Sequence, residues 1–121
     1  MCTPLTSLRW VARQGGVQGL GLVDFNFPQH LEGLSVDAVT LALERAGLKT
    51  GAVCIRFPSD RFRLGAFTHP DPVVRGQAVE MAAEGCRWAR ALGARDLVVW
   101  SAFDGYDHYF QVGAAWRLGG S

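Results

Sequence analysis

Helical and strand patterns alternate along this chain, and this alternation restricts the fold more than any other feature of the sequence. Three helical patterns alternate with three short apolar runs, an order that produces a parallel sheet through right-handed crossovers. The apolar runs cover residues 19–25, 50–57 and 96–100. Because the last run is apolar on both faces, we expect helices to cover it or a barrel to enclose it. The sequence therefore predicts an α/β fold.

The helical patterns have recognisable ends. The first covers about Thr6–Gln14 and stops at two glycines. Ser35 is a favourable N-cap for the second, and Gly47 is suited to end it in a left-handed conformation. The third pattern is the strongest. It begins at the N-cap Asp71, its apolar residues recur at intervals of three and four positions, and it stops at Gly93. Its apolar seam is expected to pack against the sheet.

Composition and charge exclude several classes of protein. The 121 residues are 49% apolar and 19% charged, as expected of one globular domain. Twelve basic and eleven acidic side chains give a formal charge of +1, so no strong field attracts nucleic acid or an anionic membrane. The N-terminus lacks the pattern of a signal peptide, and no segment is long enough to span a bilayer. We expect a cytoplasmic protein that binds neither nucleic acid nor membrane.

The three cysteines indicate neither a disulfide framework nor a structural zinc site. Cys2, Cys54 and Cys86 are odd in number, widely separated and free of Cys-x-x-Cys spacing. Thiols in a reducing compartment explain them best.

Four segments resemble the xylose-isomerase-like TIM-barrel superfamily, in particular its bacterial L-rhamnose-isomerase-type sugar isomerases and related sugar phosphate isomerases and epimerases. They are DFNFPQH at 24–30, GAFTHPDPVVR at 65–75, ALGA at 91–94 and VWSAFDGYDHYFQ at 99–111. Two parts of the resemblance are the most specific. One is the THPDP loop before a helix, and the other is the Trp followed by Asp-Gly and an aromatic-Gln ending. The resemblance covers most of residues 6–118.

The resemblance implies a partial (β/α)8 barrel over residues 1–121. A complete barrel needs about 250 residues, and the three strands here would correspond to barrel strands 2 to 4. Complete members interconvert aldoses and ketoses, or epimerise ketoses, with a divalent metal such as Mn, Co or Mg. Their metal ligands come from later strands, so we expect no metal site or other cofactor in this chain.

The resemblance also implies roles for individual residues. His69 matches a position that lines the sugar pocket, where a neutral imidazole could exchange a proton with a hydroxyl. Trp100 matches a strand-end tryptophan whose face supports the sugar ring. Asp104, in an Asp-Gly pair with Gly105, and Gln111 are further candidates for binding the monosaccharide.

Other interpretations of these residues remain open. His69 could pack on Pro70 and cap a neighbouring backbone group, Trp100 could belong to the core, and Asp104 could order a tight turn. A local metal site at His69, Asp71, Asp107 and His108 is disfavoured, because no His-x-x-x-His pair prearranges the ligands.

Two further groups of polar residues are expected to be solvated. His30 follows the first strand and could lie near the same mouth, but a solvated loop histidine is the simpler expectation. Arg56, Arg61 and Arg63 could accept a sugar phosphate, although Asp60 interrupts the cluster and no Gly-rich nest is present.

Two functions follow. In the first, the chain is a fragment of a sugar isomerase or epimerase and carries part of the sugar-binding rim. The isolated chain is then expected to be inactive. In the second, it is a non-catalytic barrel fragment that acts, if at all, by binding a partner or by self-association through exposed strand edges. An abasic-site endonuclease, from another branch of the superfamily, is disfavoured because no basic footprint is present.

Overall fold

Three parallel strands alternate with helices, as the sequence predicts. The computed structural model describes residues 4–105. In chain order its elements are α1 (Pro4–Gln14), β1 (Leu22–Phe27), α2 (Val36–Ala46), β2 (Lys49–Arg56), the single turn α3 (Ser59–Phe62), α4 (Pro72–Leu92) and β3 (Asp96–Trp100). The fold is α/β with an open sheet, consistent with part of a TIM-barrel-like structure.

The sheet has the strand order β1-β2-β3, and both neighbouring pairs are parallel. The crossover from β1 to β2 contains α2, and the crossover from β2 to β3 contains α3 and α4. The carboxyl ends of the strands are in register, since Phe27 pairs with Ile55 and Arg56 pairs with Trp100. The loops that follow the strands therefore leave the sheet at one common edge.

The predicted helix ends are confirmed where local chemistry determines them. The Ser35 hydroxyl accepts a hydrogen bond from the backbone N–H of Ala38 at 3.1 Å, and the Asp71 carboxylate accepts one from Val73 at 2.9 Å. Gly47 and Gly93 end α2 and α4 with φ values of 70° and 69°. These left-handed caps are favourable because glycine carries no Cβ.

The core lies between one face of the sheet and the helices. Phe25 and Val53 belong to a cluster with residues of α1 and α2, and Ile55 belongs to a second cluster with Phe62 and Ala78. Gly85 of α4 lies directly against β2, because an added Cβ would be 2.8 Å from Ile55 Cδ1. Helix α4 therefore covers one face of the sheet closely and does not cover the opposite face.

Three details differ from the sequence expectation. Strand β1 runs from Leu22 to Phe27 rather than from 19 to 25, since Phe27 still pairs with Ile55. The turn α3 has no signal in the sequence beyond a few polar residues. The cover expected for β3 is incomplete within residues 4–105, because Val98 and Val99 of this outer strand are 40% and 42% exposed.

None of the helices in residues 4–105 combines the length and apolar character needed to cross a bilayer.

Candidate functional site

The sheet face opposite the helices carries polar and aromatic side chains. Successive strand residues point to opposite faces, so the core residues Phe27 and Ile55 place their neighbours on the other side. On this open face lie Asn26, near the end of β1, and Arg56 and Trp100, which end β2 and β3. An α/β fold gathers its functional groups at this end of a parallel sheet.

Trp100 and Arg56 are in direct contact on this face. The guanidinium carbon of Arg56 lies 5.2 Å from the centroid of the Trp100 ring, and 52% of the Trp100 surface is exposed. This distance is typical of a cation–π contact. Arg56 is solvent-exposed, as expected, but it ends a strand and packs on an aromatic ring instead of lying in a loop.

A cleft of about 330 Å³ opens beside this pair. Its lining combines aromatic rings with amide and hydroxyl groups: Asn26, Gln29, Arg56, Phe57, Pro58, Ser59, Trp100, Ala102 and Phe103. Apolar walls with a few polar groups are typical of small-ligand sites, and the volume falls at the lower end of the range for them. Gln29 also closes one side, because its side-chain amide donates to the Arg56 carbonyl at 2.8 Å.

Asp104 joins the loop after β3 to the loop before α4. Its Oδ1 accepts hydrogen bonds from the N–H groups of Ala66 and Thr68 at 2.6 and 3.1 Å, and from the Thr68 hydroxyl at 3.1 Å. The Thr68 hydroxyl in turn accepts from the N–H of Gly105 at 2.9 Å. Asp104 therefore orders two loops of the rim, and its contact with a sugar stays a prediction.

His69 lies in the same loop as Thr68, at the start of α4. Its Nδ1 accepts a hydrogen bond from the N–H of Asp71 at 2.9 Å, which places the proton of a neutral imidazole on Nε2. Arg75 donates to the His69 carbonyl at 2.8 Å. His69 is half-buried and does not line the cleft at Trp100. Its catalytic role stays a prediction, with Nε2–H as the group available to a ligand.

Farther from the strand ends, Asp24 stabilises an irregularity in β2. The register shifts between Val23 and Phe25, and the N–H of Ala52 donates to Asp24 Oδ1 at 2.8 Å. A Cβ on Gly51 would lie 2.6 Å from the same oxygen, so this carboxylate can reach the strand only because residue 51 is glycine. At this irregularity the Asp24 carboxylate, in place of a backbone carbonyl of β1, therefore accepts the hydrogen bond from the Ala52 N–H.

Cys54 is a poor candidate for a nucleophile on this face. Burial raises the pKa of its thiol, the negative charge of Asp24 raises it further, and Arg56 opposes both effects. A thiol with a raised pKa has little thiolate at neutral pH.

His30 has a structural role that the sequence did not indicate. Its ring stacks on Trp10 of α1 with centroids 5.4 Å apart, and its Nδ1 accepts from the N–H of Asn26 at 2.9 Å. Burial lowers its pKa. His30 is thus partly buried and packs between α1 and the end of β1, so the expectation of a solvated loop residue is wrong. Trp10 and His30 are 20 positions apart in the sequence, so no local pattern predicts their contact.

Gln111 and the Asp107-His108 pair lie outside the described residues. Within residues 4–105, no group of three or more histidine, cysteine, aspartate or glutamate side chains is placed to hold a metal ion.

A larger groove of about 620 Å³ lies between the loop after β1 and α4. It is lined by Phe27, Leu31, Met81 and Trp88, with Glu32, Asp60, Arg61 and Glu84 among the polar residues around them. Since it lies on the helix side of the sheet, it shares neither Trp100 nor the loop of His69.

Part of the chain is similar in sequence to a known protein. A stretch of 65 residues, 53% of this chain, is 42% identical to a protein from Thermus thermophilus named xylose isomerase. The chain spans 17% of the length of that relative. No protein-family model matches the chain. The similarity supports a xylose-isomerase-like relationship for part of this chain.

Proposed function

We propose that this chain carries part of the sugar-binding rim of a sugar isomerase or epimerase, of the L-rhamnose-isomerase type within the xylose-isomerase-like superfamily. The exposed ring of Trp100, placed at the carboxyl end of β3 as one wall of a cleft, is the observation that carries this proposal. The partial similarity to a xylose isomerase supports the sugar-isomerase part of this proposal, and not the L-rhamnose-isomerase type.

The cleft has the chemistry that a monosaccharide requires. A sugar ring presents an apolar face of C–H groups, which can stack on Trp100, while its hydroxyl groups need polar partners around the edge. Asn26, Gln29 and Ser59 supply amide and hydroxyl groups for that purpose. His69, in the neighbouring loop and outside this lining, would orient a sugar oxygen by donating a hydrogen bond from Nε2–H.

Turnover in the complete enzyme would be aldose–ketose isomerisation or ketose epimerisation. Both reactions remove a proton beside a carbonyl, and a divalent cation can stabilise the negative charge that develops. In the superfamily that the sequence resembles, the metal ligands come from later strands, so sugar binding without turnover is the activity we propose for this chain.

Binding of D-xylose and L-rhamnose to the 121-residue chain tests the proposal. Chemical-shift titration should show saturable changes at residues 26, 29, 56 and 100. Trp100→Leu should weaken binding by about tenfold, because aromatic stacking is worth about 0.5–1.5 kcal/mol beyond the area it buries. Trp88→Leu is the matched control, since it makes the same substitution at a tryptophan that lines the groove on the helix side and not the cleft. Absence of saturable binding to any sugar would refute the proposal.

A second candidate function is self-association without catalysis. It is favoured by β3, which is the outer strand of the described sheet and exposes Val98, Val99 and Trp100. Exposed apolar outer strands tend to pair with other chains. Sedimentation velocity over a hundredfold range of concentration tests it, and Val99→Lys should abolish any dimer. A monomer at every concentration would remove this candidate.

A further inference from the structure

Arg56 gives the cleft at Trp100 a positive charge. It is exposed, and among the described residues that line the cleft it is the one with a formal charge. The other polar groups of the described lining are the neutral side chains of Asn26, Gln29 and Ser59, and none of the described lining residues is an aspartate or glutamate. The described part of the wall therefore carries a positive charge that no carboxylate of this lining balances.

Trp100 positions the guanidinium of Arg56, and Gln29 positions its main chain. Its guanidinium lies against the ring of Trp100, and its backbone carbonyl accepts the amide of Gln29. A guanidinium packed on an aromatic ring still directs its in-plane N–H groups outward, where they can bind a carboxylate or a phosphate through two hydrogen bonds. Less conformational entropy is lost on binding when the cation is already positioned.

We propose that the cleft takes a monosaccharide that carries an anionic group, a carboxylate or a phosphate, with Arg56 as the residue that determines this specificity. This inference rests on the proposed sugar-binding function. The sugar ring stacks on Trp100, the neutral amides receive its hydroxyl groups, and the anionic group binds Arg56. A neutral sugar would displace water from the guanidinium without supplying a charged partner, and so it binds more weakly.

Three ligands with the same ring frame test this specificity: D-glucose, D-glucuronate and D-glucose 6-phosphate. Their affinities for the 121-residue chain are measured by calorimetric titration at low salt and at 0.5 M NaCl. We expect at least one anionic ligand to bind about tenfold or more tightly than glucose at low salt, and the difference should shrink at high salt. The comparison of glucuronate with the phosphate identifies which anionic group is preferred.

Variants of Arg56 provide the decisive contrast. Arg56→Gln should abolish the preference for the anionic ligands over glucose, whereas Arg56→Lys should keep part of the preference. Arg63→Gln is the control, because it removes the same charge from a nearby exposed residue that does not line the cleft. Circular dichroism establishes that each variant is folded.

Each outcome separates this inference from the function on which it rests. Equal binding of all three ligands would overturn the anion specificity and leave sugar binding intact. An anion preference that survives in Arg56→Gln, or that inorganic phosphate reproduces with equal affinity, would also overturn the specificity. If no ligand binds, both the proposed function and this inference fail.

Discussion

The carboxylate of Asp104 and the hydroxyl of Thr68 form a reciprocal link between two loops of the rim. Thr68 donates to Asp104 Oδ1 at 3.1 Å and accepts from the N–H of Gly105, the next residue along the chain. The loop that contains His69 is thereby tied to the loop that follows Trp100. The loop of the predicted catalytic residue and the loop after the predicted sugar-stacking residue are thus joined by a polar contact that neither residue makes.

Asp104→Ala should destabilise the protein by about 1–3 kcal/mol, because three donors lose an acceptor that carries charge. Urea denaturation measures the free energy of unfolding. Hydrogen exchange at Ala66 and Thr68 should accelerate more than exchange at Val53, which lies in the buried centre of the sheet. Glu80→Ala, on an exposed position of α4, is expected to change stability by less than about 0.5 kcal/mol. A loss in Asp104→Ala no larger than in that control would show that the link contributes little.

Gly51→Ala should destabilise the protein by about 1–3 kcal/mol, because the new methyl group would lie 2.6 Å from Asp24 Oδ1. Either the carboxylate moves and leaves the N–H of Ala52 without its partner, or the strand shifts. The double variant Asp24→Ala/Gly51→Ala should lose less than the sum of the two single variants, because both substitutions disrupt the same contact. Strict additivity would contradict the coupling.

Gly76→Ala provides the opposite expectation within the same chain. Residue 76 lies inside α4, and no atom stands within 4 Å of an added Cβ. Alanine should therefore stabilise the protein by about 0.5–1 kcal/mol, the usual difference in helix propensity. Thermal unfolding compares the two glycine variants directly, and destabilisation by Gly76→Ala would show that the surroundings of α4 are more crowded than described.

Features determined by neighbouring residues were predictable from the sequence. The caps Ser35 and Asp71 and the left-handed glycines 47 and 93 act on backbone groups within a few positions, and β3 lies at the predicted residues 96–100. Apolar periodicity and capping preferences describe such short-range effects directly.

Features determined by strand register were not predictable. Arg56 and Trp100 are 44 positions apart in the numbering and meet because β2 and β3 pair in parallel with these residues opposite each other. The bond from Gln29 to Arg56 and the stacking of His30 on Trp10 arise in the same way, through tertiary packing. The motif resemblance indicated Trp100 as a sugar-stacking residue, but it could not indicate the cation beside it.

Stability should decrease as the pH falls below about 6.5, with His30 as one cause. Burial lowers the folded-state pKa of His30 from 6.5, and its Nδ1 must stay unprotonated to accept from Asn26. Below pH 6.5 the unfolded chain binds a proton that the folded chain resists, so acid favours unfolding; above that pH the imidazole is neutral in both states. His30→Asn should reduce this dependence between pH 7.5 and 5.5, as measured by urea denaturation. An unchanged pH slope in the variant would assign the effect to other groups.

His69→Asn and His69→Ala together separate a substrate role of His69 from its bond to Asp71. Asparagine can still accept a hydrogen bond from the backbone N–H two residues later, so its stability should change by less than about 0.5 kcal/mol. Alanine cannot, and should cost about 1 kcal/mol. If Nε2 contacts the sugar, both variants lose a similar severalfold affinity for it in the titration described above, although only one loses stability. Sugar affinity that is unchanged in His69→Asn would remove His69 from the binding site and leave it as a residue that orders the start of α4.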